Sequence, residues 1–193
     1  MNVWKTSVVE GYEWAMGIEE HDRTALTDIF RRRSSKSWPE ARVKLLREDE
    51  GQHFKEADFP WYSSTVIVLR SRVMPVIQEI LLKHGELVPL VCDEAELFGY
   101  NCTTVLDALD HSLARMKYFS SSGRFWRVDR HVFVPERLKG INLFRLPEYE
   151  NGGPIYVSDA FRQLVFDSGL TGLGFKLVWS TDDSETASIA QQG

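Results

Sequence analysis

Long apolar runs are missing from this sequence: no stretch approaches the 18 residues that a bilayer-spanning helix needs, so a soluble chain is expected. Cysteine is scarce as well. Only Cys92 and Cys102 occur, and with no recognisable secretory leader the expected setting is a reducing cytosol without disulfides, although the two could still pair across adjacent strands. No internal repeat is visible, which excludes solenoids and propellers, and no linker-like segment is long enough to separate two domains. A basic excess is absent too. Net charge is −5 with acids and bases interspersed, which is not the electrostatic footprint of a nucleic-acid binder. His21, His53, His84, His111 and His131 are scattered, and none stands with a Cys or Glu at a zinc spacing, so no metal or other cofactor is expected.

What is present points to a packed core. Eleven Phe, six Trp and six Tyr in 193 residues argue against disorder, and a domain of this size buries roughly 70% of the surface of its unfolded chain. Val3 to Val9 reads as a strand, and Leu26, Ile29 and Phe30 recur at helical spacing behind the acidic start Glu19, Glu20 and Asp22. Arg31, Arg32 and Arg33 then suit a helix C-terminus better than an anion site. Trp38-Pro39 opens a strand over 42–47, and 48–55 reads as a charged loop.

The centre is more regular. Val66 to Leu69 reads as a buried strand, and Ser71 is placed to cap a helix with Val73, Val76, Ile77, Ile80 and Leu81 inward and Pro75 in its first turn. Leu87 to Cys92 and Leu97 to Cys102 should be antiparallel strands, because the four-residue link Asp93-Glu94-Ala95-Glu96 cannot house a crossover helix. Arg124 to Val134 alternates, with Trp126, Val128, Val132 and Val134 on one face and Phe125, Arg127, Asp129, His131 and Phe133 on the other. Short strands follow at 141–146 and 155–157; Ser158 then caps a helix with Phe161, Leu164 and Val165 inward, and Phe175 to Trp179 closes the fold. Short turns joining strands to two or three short helices give an α+β class with a mainly antiparallel sheet.

Few groups could carry chemistry. Asp107, Asp110 and His111 form the tightest acid and histidine cluster, able to hold a metal or do acid/base work if Asp107 and Asp110 share a helical face. The plainer reading is a capped turn over buried Val105, Leu106 and Leu109. Gly169 to Gly174 is glycine-rich but runs from helix to strand, the wrong direction for a phosphate cradle, so a helix C-cap with positive φ is expected. Ser120 to Gly123 lacks the frame of a nucleophile elbow and reads as a hairpin turn. Between Lys83 and Arg115 lie six acids and no lysine or arginine, whereas 115–139 carries seven bases against two acids. Glu86, Asp93, Glu94 and Glu96 could thus face a basic partner, or the two blocks could neutralise each other as neighbours.

An ordered series of short segments resembles a known family. It runs through Asp58-Phe59-Pro60, Val68-Leu69-Arg70-Ser71-Arg72-Val73, Gly85-Glu86-Leu87-Val88-Pro89-Leu90 and Val105-Leu106-Asp107-Ala108-Leu109-Asp110. It continues through Phe133-Val134-Pro135-Glu136-Arg137-Leu138, Ile141-Asn142-Leu143-Phe144-Arg145-Leu146, Ile155-Tyr156-Val157-Ser158 and Gly169-Leu170-Thr171-Gly172-Leu173-Gly174-Phe175. The series is similar to the immunity-protein family numbered eleven of bacterial polymorphic toxin systems, over roughly 37–179, with only Ser37-Trp38-Pro39 matching in the first third. The resemblance implies one domain over 1–180, with a variable part at 1–62, a family-like core at 63–180 and a flexible acidic tail at 181–193. It implies a cytoplasmic protein that neutralises a cognate toxin effector by direct binding, without catalysis, and without nucleic-acid or membrane partners. The matched residues are mostly scaffold, so the toxin-binding residues are expected at Glu86, Asp93, Glu94, Glu96 and in the N-terminal third. Two other readings stay open: an enzyme reversing a toxin's modification through Asp107, Asp110 and His111, and a general protein-binding adaptor.

Overall fold

The computed structural model describes residues 1–31, 38–149 and 152–182, with the backbone alone for 29–31. The chain begins with β1 (Asn2–Ser7), β2 (Trp14–Gly17), α1 (Glu20–Arg31), β3 (Val43–Leu46), β4 (Glu48–Asp49) and β5 (Gln52–His53). It continues through β6 (Ile67–Arg70), α2 (Met74–Leu82), β7 (Gly85–Leu90), β8 (Leu97–Cys102), β9 (Arg115–Tyr118) and β10 (Phe125–Arg130). It ends with β11 (Leu143–Phe144), β12 (Tyr156–Ser158), α3 (Asp159–Asp167) and β13 (Gly174–Ser180). Small antiparallel sheets and three helices among the described residues make this a single-domain α+β fold.

Two sheets carry the core. The first has the order β11-β12-β1-β13, all antiparallel, so β1 lies between two strands from the far end of the chain. The second has the order β6-β8-β7 and is also antiparallel, as the short acidic link requires. Every residue of β6 is buried, so its apolar side chains serve the core on both faces. Ile67 and Leu69 pack with Val73, Ile77 and Leu81 of the α2 segment and with Phe161 and Val165 of α3. Val66 and Val68 instead meet Ala15, Leu26, Val43 and Leu45 of the N-terminal part. The other face of the first sheet, through Val3, Phe144, Tyr156 and Trp179, is covered by Leu109, Val128, Phe133 and Leu138.

Local chemistry explains the element ends. Asp22 in the first turn of α1 accepts from Glu19 N at 3.0 Å and from Arg42 N at 2.9 Å, and the Arg42 N–H holds its carboxyl below the usual carboxylate range. Ser158 Oγ accepts from Phe161 N at 3.3 Å, the expected N-cap of α3. Gly172 has φ +90°, and a Cβ there would lie 2.5 Å from the Phe59 carbonyl oxygen, so the glycine-rich turn needs glycine on both conformational and steric grounds.

Several expectations are corrected. Ser71 caps nothing: it opens a 3₁₀ turn, and α2 follows from Val73 without a side-chain cap, with Pro75 in its first turn as expected. Val76 is exposed rather than inward. The segment 48–55 is not a plain loop, because Glu50 and Gly51, at φ +46° and +81°, form a tight turn between β4 and β5. The alternation of 124–134 breaks at two register shifts in the β9–β10 pairing, so Trp126 is exposed while Val132 and Phe133 are both buried. Cys92 and Cys102 are free thiols: β7 and β8 pair Leu90 with Leu97 and Gly85 with Cys102, which puts Cys92 by the turn and Cys102 at the opposite end. Arg32, Arg33 and the tail from 183 lie outside the described residues.

Candidate functional site

The four acids singled out in the sequence do not form one site. Asp93, Glu94 and Glu96 share the exposed β7–β8 turn, whereas Glu86 sits towards the other end of β7 opposite Asn101, whose side-chain amide donates to it at 3.0 Å. Glu94 is also occupied internally. It accepts from Leu45 N at 3.2 Å and from Arg47 at 2.9 Å, while Val43 N donates to Val91 O at 2.8 Å, so the turn clamps β3 against the second sheet.

That clamp continues into a buried charge chain missed by the sequence reading. Glu13 is fully buried, accepts from Arg47 Nε at 2.7 Å and Ala57 N at 3.0 Å, and is paired with buried Arg70. Arg70 also donates to Ala57 O at 2.8 Å. Neighbouring Arg72 pairs with Glu56 and, at 2.7 Å, with Asp58, whose other oxygen accepts from Thr171 N and Oγ1. The signal in the sequence was slight: a lone acid before an apolar strand looks like any surface glutamate.

Asp107 and Asp110 share no helical face. The segment is extended, with Val105 bridged to Arg145 and Leu109 to Phe133, and Val105 is exposed. Asp110 turns away, its Oδ1 accepting from Ser112 N at 2.9 Å and from Ser112 Oγ; the Ser112 hydroxyl keeps its carboxyl below the ordinary range. His111 finds a different second acid. Its Nε2 lies 3.2 Å from Asp107 Oδ1 and 3.4 Å from Oε1 of Glu148, a residue 37 positions further along. Arg137 donates to the Asp107 carbonyl at 2.8 Å and lies 3.4 Å from its Oδ2. The Glu148 side chain is only 10% exposed, and its Oε2 is buried with no hydrogen-bond partner among the described residues. Asp107, His111 and Glu148 each offer one ligand atom within 4.8 Å of the others, which makes them the group among the described residues that could hold a metal.

Glu148 also lines a cleft of about 800 Å³ with Phe119, Arg124, Phe125, Trp126 and Tyr149. The cleft lies against the β9–β10 ribbon, which has no third strand among the described residues; in β10 the Val128 N–H donates to the Tyr149 hydroxyl at 3.3 Å. Its register shifts place an aromatic cluster at the tip. Phe119 packs on Trp126 at 5.6 Å between ring centres, Phe125 meets Tyr149 edge-on at 4.9 Å, and Arg127 lies 4.4 Å over the Trp126 ring. Leu113, Tyr118, Phe119 and Trp126 are each about half exposed. Arg115, Lys117 and Arg127 all converge on one acid, Asp129, which leaves a cationic excess. The basic block therefore stays net cationic; among the described residues, Arg137 is its one member with an ion pair to the acidic block, at Asp107.

The buried polar groups are structural. His131 Nε2 lies 2.9 Å from the Tyr156 hydroxyl, and burial, with the positive Lys5 second, draws its pKa down to about 4. Burial pushes the Cys102 thiol up to about 11, so it is a poor nucleophile. Buried Arg145 donates to Thr65 O at 2.8 Å. No protein-family model matches the chain, and no curated protein matches it.

Proposed function

We propose that this chain acts by binding another protein, and that the partner is a toxin effector which it neutralises in the cytoplasm, as the ordered resemblance of its segments implies. The observation that carries the binding reading is the β9–β10 ribbon, with four large apolar side chains half exposed beside an aromatic-walled cleft. Monomeric surfaces seldom expose contiguous apolar groups without a use, and tryptophan, tyrosine and arginine dominate the energetics of protein interfaces.

Charge indicates what the ribbon takes. Lys5 and Lys176 stand directly opposite each other on β1 and β13, a like-charge pair that costs stability, and burial and then Lys176 and Arg127 hold the Lys5 ammonium below its usual range. A cationic surface beside the ribbon, kept at a cost to the fold, suits a partner with an acidic face and supports an interface at the ribbon over one at the turn of Asp93, Glu94 and Glu96. The test is co-expression with the products of the genes that flank its own, where the reading expects a toxin. Wild type should restore growth and co-purify with the toxin, whereas Phe119→Ala with Trp126→Ala should weaken the complex at least tenfold, as loss of two central aromatics typically does. Absence of both rescue and complex sinks the toxin reading; a complex indifferent to the ribbon but lost on charge reversal of Asp93, Glu94 and Glu96 returns the interface to the acidic turn.

A further inference from the structure

We infer that Asp107, His111 and Glu148 form a binding site for a divalent first-row transition ion, Zn²⁺ foremost, a site that goes beyond the binding reading and does not depend on it. Nε2 of His111 faces two carboxylate oxygens, at 3.2 and 3.4 Å. An imidazole nitrogen carries one hydrogen at most, and so cannot serve both acceptors well. A tetrahedral zinc centre with bonds of about 2.0–2.1 Å separates neighbouring ligand atoms by roughly 3.3 Å, so both distances fit edges of such a centre. The third ligand atom needs little movement, since all three lie within 4.8 Å of one another and Asp107 is on an exposed, extended segment.

The independent observation is Glu148. Its carboxylate is nine-tenths buried, its Oε2 has no hydrogen-bond partner among the described residues, and the group is turned towards His111. A buried carboxylate oxygen without a partner is costly and rare, and a dication on the same carboxylate offsets that cost. Arg137 supplies the supporting contact. By holding the Asp107 carbonyl and its Oδ2, it leaves Oδ1 directed at the centre, the arrangement that orients ligating carboxylates in metal sites. Two carboxylates and one imidazole leave a coordination position open, and mixed nitrogen and oxygen ligation suits Zn²⁺ or Mn²⁺ rather than the all-oxygen preference of Ca²⁺. The ion would fasten the 107–111 segment to the turn that carries Glu148 and Tyr149, and so fix one wall of the aromatic cleft.

The experiment is calorimetric titration of untagged, chelator-stripped protein with ZnCl₂ and, separately, MnCl₂. One ion per chain is expected for wild type and for Asp110→Asn, with Zn²⁺ affinity reduced at least tenfold in Glu148→Gln and in His111→Gln; the second substitution is at a half-exposed side chain outside the core clusters. Zn²⁺ should raise the thermal midpoint of wild type and leave that of Glu148→Gln unmoved. The ¹⁵N resonance of His111 Nε2 should shift on addition of zinc. Equal zinc affinity in wild type and both variants, or loss of binding only on substitution of the exposed His21 or His53, would overturn the site. So would an unmoved His111 resonance, which would show an ordinary histidine held between two carboxylates.

Discussion

At Asn142 the backbone N–H donates to Nε2 of His84, 3.2 Å away, and since an amide can only donate, that nitrogen must carry a lone pair. Burial lowers the pKa of His84 accordingly, with Lys83 as a second cause. His131 is the stronger case. Its pKa falls from 6.5 to about 4, chiefly by burial, and its Nε2 shares a hydrogen bond with the Tyr156 hydroxyl at 2.9 Å. The unfolded chain therefore takes up a proton at His131 below about pH 6.5 that the folded protein refuses until about pH 4. Stability conferred by the neutral ring is complete above pH 6.5 and is lost as pH falls through that window, by about 3 kcal/mol in all. Urea titrations at pH 7 and pH 4 should show this loss in wild type and a smaller loss in His131→Gln, whose amide can still hydrogen-bond to Tyr156. An identical pH dependence in the two proteins would remove His131 as the cause.

Among the elements, the β9–β10 ribbon carries two aromatic side chains that the sequence put on opposite faces without showing which face is covered. Strict alternation would place Phe125 and Trp126 on opposite faces; the bulges turn Phe125 onto Tyr149 and leave Trp126 outside. Trp126→Ala should accordingly change stability by less than about 1 kcal/mol, since little area leaves contact with the core, while Phe125→Ala should cost about 2–4 kcal/mol as a cavity forms beside Tyr149 and Met116. Chemical denaturation of the two variants checks the order, and the reverse order would mean that the strand sits in the other register. Elements with long periodic signals, such as β6, α3 and the β7–β8 pair, were legible in the chain. β2 was not, because Trp14-Ala15-Met16-Gly17 buries only its alanine and glycine. Glu148 was equally hidden, since the turn that brings it to His111 is built by packing that couples segments 37 residues apart.

For the molecule as a whole, β1 decides whether the parts can be separated. The first strand is hydrogen-bonded on both sides within the main sheet, and Glu13 is enclosed by Arg47 and Arg70, so residues 1–62 are built into the rest of the fold. Deleting residues 1–7 should therefore abolish the folded state instead of trimming an appendage, and the intact chain should unfold in one transition. Circular dichroism and tryptophan fluorescence should give coincident urea curves for the full chain; separate midpoints would show that the N-terminal third melts on its own.

The placement of β1 also sets an order of events during synthesis. Residues 2–7 leave the ribosome early but gain their two neighbours only after 156–158 and 174–180 have been made. Until then the nascent chain carries an unpaired strand with Trp4 and Val3 uncovered, a state open to chaperones and to self-association. The main sheet can close only late in translation. Closure of the sheet therefore follows most of the synthesis of residues 2–180 and cannot accompany it.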